Sequence, residues 1–117
     1  MTAYRLLKLF WDGYEWKYRT PFPRGKKAKQ AVSWMARMLG GKMRQQSLPA
    51  EEVKEFVLWL WNLQVNFVGE EQRIGNLVGA LDRWLGDFRR WRKLHRAEVE
   101  ALGVGRAAAA CWSRMQH

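Results

Sequence analysis

Apolar residues recur at three- and four-residue spacing along most of this chain, and glycine or proline interrupts the pattern. Ala28, Ala31, Val32, Met35, Ala36 and Leu39 keep one helical phase and Gly40-Gly41 follows as a stop, so the spacing predicts a helix over roughly 26–39. After a polar loop, Ser47-Leu48-Pro49-Ala50-Glu51-Glu52 reads as a helix start, with a capping hydroxyl, an early proline and acids in the first turn. Val53, Phe56, Val57, Leu60, Trp61 and Leu63 then carry that helix to about Asn66. Beyond Gly69, Glu70-Glu71 opens the strongest pattern in the chain, in which Ile74, Leu77, Val78, Leu81, Trp84, Leu85, Phe88 and Trp91 share one phase. Gly103-Val104-Gly105 sets apart Arg106-Ala107-Ala108-Ala109-Ala110, a good helix former that ends in Trp112, in a C-terminal tail of about 106–117 expected to fray.

The first residues admit two readings. Asp12-Gly13 between alternating residues is a hairpin signal, and over residues 4–19 it opposes Trp11 to Tyr14, Leu9 to Trp16 and Leu7 to Tyr18 on one apolar face. At helical spacing, Tyr4, Leu7, Trp11, Tyr14 and Tyr18 also fall on one stripe, with a mid-helix Gly13 that costs about 1 kcal/mol. Periodicity alone slightly favours the hairpin. The expected fold is therefore all-α, a compact three- to four-helix domain, with an α+β alternative carrying that hairpin. Thr20 to Gly25, with prolines at 21 and 23, is a connector.

Composition narrows the class. The 117 residues fit one domain, and 48% hydrophobic content supports a core. Lysine and arginine outnumber aspartate and glutamate 21 to 11, a net charge of +10, and such a field attracts polyanions, of which nucleic acid is the commonest. Cys111 stands alone, so neither an internal disulfide nor a cysteine-rich zinc site can form, which fits a cytoplasmic protein. Basic residues interrupt the N-terminal apolar run, no cleavage site follows it, and no stretch is long and apolar enough to span a bilayer.

The charge falls in two clusters. Arg24, Lys26, Lys27 and Lys29 crowd a helix entrance, where cations oppose the helix dipole; local stability does not ask for them, whereas a phosphate would satisfy both the lysines and the free amides. The second cluster is Arg83, Arg89, Arg90, Arg92, Lys93 and Arg96. Within it Arg83, Arg89, Arg90, Lys93 and Arg96 lie away from Leu81, Leu85 and Phe88, forming a stripe suited to a phosphate backbone. Asp87 is spaced to neutralise part of it through pairs with Arg83 and Arg90. Either cluster also has a plain reading, as a solvated face or as a complement to the dipole.

Tryptophans among basic residues can stack exposed bases, and Trp11, Trp16, Trp59 and Trp91 are candidates, although most aromatics in so short a chain fill the core. Catalytic constellations do not emerge. His95 and His117 lack metal-ligand spacing, Asp82 and Asp87 are set on different helix faces, and the glycine pairs lack the lysine-serine or lysine-threonine of a phosphate loop. Val99 to Arg106 before an alanine helix is a weak helix-turn-helix pattern that would present Arg106, Ser113 and Arg114 to DNA. The chain is read as non-catalytic, with no cofactor or metal.

The order Leu6-Leu7-Lys8-Leu9-Phe10-Trp11, Tyr14, Tyr18, Pro21-Phe22-Pro23, Gly25-Lys26-Lys27, Leu48-Pro49-Ala50-Glu51-Glu52-Val53-Lys54, Trp59 to Phe67, and Ile74-Gly75-Asn76-Leu77 to Trp84-Leu85 resembles small helical modules of phage replication proteins. These are of the DnaD-like or replisome-organiser type. The resemblance implies an all-helical fold whose basic surface binds DNA and supports replication or helicase loading, and it tips residues 2–19 toward helix. Gly25, Lys26 and Lys27 would match that family's glycine-lysine entry; Arg106 to His117 has no counterpart. The expected function is DNA binding through phosphates, RNA being a possible substitute. The alternatives are a protein-binding inhibitor or adaptor of phage or mobile-element origin, and a small structural subunit of a ribonucleoprotein.

Overall fold

The computed structural model describes residues 2–21 and 26–116, the side chains of Lys26 and Lys27 excepted. Every regular element among the described residues is helical. Among them are six α-helices: α1 (Ala3–Tyr18), α2 (Lys26–Gln45), α3 (Ala50–Asn62), α4 (Leu77–Leu94), α5 (Arg96–Leu102) and α6 (Val104–Met115), with 3-10 turns at Gln64–Phe67 and Glu70–Gln72. The fold is thus all-α, and the expected three to four helices are too few. His95 breaks the predicted long helix into α4 and α5, and Gly103 at φ 83° separates α5 from α6. The chain divides into two compact units, Met1–Lys54 and Glu55–His117, with the boundary inside α3.

The hairpin alternative is overturned. Residues 3–18 form one helix, begun by Thr2, whose hydroxyl accepts a hydrogen bond from the Arg5 amide, and ended by Arg19 at φ 57°. The Asp12-Gly13 signal is local and weak beside burial. Gly13 costs about 1 kcal/mol in a helix, whereas burying a leucine or phenylalanine contributes ~1.5–3 kcal/mol, and Leu6, Leu7 and Phe10 are all buried. Aromatic contacts at helical spacing reinforce the choice: Trp11 and Tyr14 lie 4.6 Å apart and Tyr14 and Tyr18 4.8 Å.

Within the first unit α1 packs on α2. Gly40-Gly41 does not stop α2, which runs to Gln45. A Cβ on Gly40 would stand 3.9 Å from that of Ala3, so the helix approaches α1 closely there. The stop lies further on, where the Leu48 amide donates to the Met43 carbonyl (2.8 Å) and that of Ser47 to the Arg44 carbonyl (3.3 Å). This is a Schellman motif, with Ser47 at φ 49° in the left-handed position and Leu48 buried. Ser47 therefore ends α2 and does not cap α3; the Pro49 carbonyl receives the first α3 bond, from Val53.

In the second unit Phe56 and Trp59 of α3 meet Phe88 of α4, with ring centroids 5.9 and 5.5 Å apart. Leu77, Leu81, Trp84, Leu85, Phe88 and Trp91 form the buried face of α4, as their spacing foretold. The helix starts at Leu77, because Asn76 accepts the Gly79 amide at 2.7 Å, and Glu70-Glu71 belongs to a separate turn. α3 stops at Asn62, short of the expected Asn66, and its side-chain amide donates back to the Leu58 carbonyl at 2.8 Å. Gly105 lets α6 approach α3, since a Cβ there would lie 3.7 Å from that of Leu58. No described helix is long and apolar enough to cross a membrane.

Candidate nucleic-acid interface

The buried face of α4 determines where its cations go. With Phe88 and Trp91 turned inward, Arg89 and Lys93 fall on the outer side, and the break at His95 lets α5 bring Arg96, Val99 and Glu100 beside them. Together with Arg92 these residues line a cavity of about 430 Å³. Four cations from two helices thus surround one concavity large enough for a phosphate group. Lys93 has no carboxylate partner among the described residues. Arg96 donates from Nε to Glu100 at 3.1 Å, and both side chains are mostly exposed. An exposed i,i+4 pair of this kind contributes only ~0.3–0.5 kcal/mol, so it resists transfer of Arg96 to an incoming phosphate only weakly.

By its spacing Arg92 falls on the apolar side of the stripe, outside the expected contact set. In the structure its guanidinium sits 5.0 Å from the centroid of the Phe88 ring, and Nη1 lies 4.0 Å from Glu55. It nevertheless lines the cavity. The signal was its length, since an arginine side chain is long enough to lay its guanidinium over an aromatic face and still line a neighbouring cavity.

Other residues of the expected set lie elsewhere. Arg83 hydrogen-bonds Gln72 at 2.9 Å and stacks over Trp84, and Arg90 binds Asp87; neither lines the cavity. Arg24 falls outside the described residues. Lys26 and Lys27 are the first residues of α2, with side chains outside the description, and Lys29 is exposed on the same helix. α2 as a whole carries six basic residues and no acid.

The remaining candidates resolve one by one. Trp59 and Trp91 are buried and Trp11 half-buried, so among the four tryptophans named for stacking only Trp16 is exposed, while Trp34, not singled out by its spacing, is exposed too. His95 stacks on Trp91 at 5.1 Å with Nδ1 3.8 Å from Glu98. His117 lies outside the described residues. No cluster of His, Cys, Asp or Glu suited to a metal occurs among the described residues. Of the three helix-turn-helix residues, Arg106 and Ser113 are exposed, but Arg114 is held by both oxygens of Glu98. Compared with known proteins, the chain matches no family model, no curated protein and no solved structure.

Proposed function

We propose that the chain is a non-catalytic nucleic-acid-binding protein, with DNA as its partner, that grips the phosphate backbone through basic helix surfaces. One observation carries this reading: Arg89, Arg92, Lys93 and Arg96 converge on one concavity at the α4–α5 junction of a chain whose net charge is +10. A phosphate there competes with the exposed Arg96–Glu100 pair at little cost and releases its condensed counterions, which favours binding. The acid-free α2 adds a second cationic surface. The contacts are to phosphates, and strong sequence preference is not expected. A role as an accessory factor in phage or mobile-element replication rests on the resemblance alone.

Fluorescence anisotropy with labelled DNA tests the reading. Charge reversal at the cavity (Lys93→Glu with Arg96→Glu) and at the α2 entrance (Lys26→Glu with Lys27→Glu) should each weaken binding, the first more strongly. If both double variants bind like the unaltered protein, the assigned surfaces are wrong.

A further inference from the structure

Eight tryptophans occur in the chain, and packing accounts for most of them. Trp59, Trp61, Trp84 and Trp91 are buried; Trp11 stands against Tyr14 at 4.6 Å and Trp112 against Phe67 at 5.4 Å. Two remain on the outside, Trp16 with 67% and Trp34 with 58% of the residue exposed. Each is followed three residues later by an exposed arginine, Arg19 and Arg37. Leaving an indole in water forgoes the burial free energy that the other six gain, so core packing gives no reason for a tryptophan at either position.

The surroundings of Trp34 indicate what would cover it. α2 turns Val32 and Leu39 inward, and its exposed positions include Gln30, Ser33, Trp34, Arg37 and Met38. With no carboxylate anywhere on α2, its field suits a polyanion and repels a cationic partner. A bilayer surface requires a broad apolar face, and exposed Trp34 and Met38 alone make too little of one. A duplex hides the faces of its bases within the stack. An unpaired base offers a free face to the indole and a phosphate to the adjacent cation, the combination used by single-strand binders.

We infer that the nucleic acid is bound as a single strand, with an unpaired base stacked on Trp34 and its phosphate held by Arg37. Trp16 is the weaker second platform, since α1 carries Asp12 and Glu15 beside it. This inference rests on the nucleic-acid reading above and adds the strand state and the stacking residue.

The test measures anisotropy of the full chain with a labelled 20-nucleotide strand and with the duplex of the same sequence, alongside cosedimentation with phosphatidylserine–phosphatidylcholine vesicles. Trp34→Ala should lose roughly 5- to 150-fold in single-strand affinity. Trp34→Phe should recover most of it, and duplex affinity should stay as in the unaltered protein. Because Trp34 is exposed, unchanged far-ultraviolet circular dichroism is expected and guards against misfolding. Unchanged single-strand affinity in Trp34→Ala overturns the inference while leaving nucleic-acid binding intact. Equal losses on strand and duplex, or vesicle binding that alone depends on Trp34, overturn it as well. Absence of binding to either nucleic acid by the unaltered protein removes the underlying reading and this inference together.

Discussion

Glu98 on α5 and Arg114 on α6 hold each other through two hydrogen bonds, 2.8 and 3.0 Å long, across sixteen residues of sequence. The Arg114 hydrogen bond, aided by its charge, pulls the Glu98 carboxyl below its ordinary value of 4.5. The same contact raises the Arg114 guanidinium. A carboxyl whose folded-state value is depressed contributes stability above its unfolded value, and that contribution is lost as pH falls through the folded one. Thermal unfolding followed across acid pH should therefore show Tm falling below pH 4.5 in part through this pair. Glu98→Gln should have a slightly lower Tm at neutral pH and a shallower acid decline. An identical acid profile in the variant contradicts the assignment.

The junction of α3 and α4 turns on Phe88, fully buried between Phe56 and Trp59. Phe88→Ala should lose about 3–5 kcal/mol by urea denaturation, from lost transfer free energy plus the cavity left behind. A loss under ~1 kcal/mol would mean that this aromatic cluster does not hold the second unit together.

Gly41 and Gly86 lie inside helices with open space where a Cβ would be. Gly41→Ala and Gly86→Ala should each stabilise the protein by ~0.4–1 kcal/mol. Destabilisation by Gly41→Ala would indicate that α2 stops at the glycine pair, as its sequence suggests, and does not continue to Gln45.

Arg92 and Arg83 separate the surface read from spacing from the one read from geometry. Spacing includes Arg83 and omits Arg92; the cavity includes Arg92, and Arg83 stays over Trp84. Arg92→Gln should weaken DNA binding and reduce the salt slope by about 0.7 on a single strand or about 0.9 on a duplex, while Arg83→Gln should leave both nearly unchanged. The reverse ranking would move the interface to the Arg83 side of α4.

Much of the fold was legible wherever one apolar phase ran uninterrupted. α4 is the clearest case, since every residue of its buried set from Leu77 to Trp91, Ala80 apart, stood in the predicted stripe. Errors gathered at glycines and at short polar signals, where local chemistry competes with packing. Asp12-Gly13 signals a turn and Gly40-Gly41 a stop, yet both lie within helices because burial of Leu6, Leu7, Phe10 and Leu39 outweighs the glycine penalty. His95 gives no breaker signal, so the division into α4 and α5, which gathers Arg96 with Arg89 and Lys93, could not be read from spacing. The outward position of Trp34 follows from its place off the phase of Val32, Met35 and Leu39, but tryptophan is ordinarily a core residue, so nothing in the sequence alone singled it out as a platform.

The most direct test is the affinity of the full chain for DNA across a salt series. With about five phosphates engaged, log affinity should fall linearly against log salt, with a slope near −4 to −5 on a duplex and near −3.5 on a single strand. A flat dependence would contradict the claim that clustered cations on the helix surfaces hold a phosphate backbone.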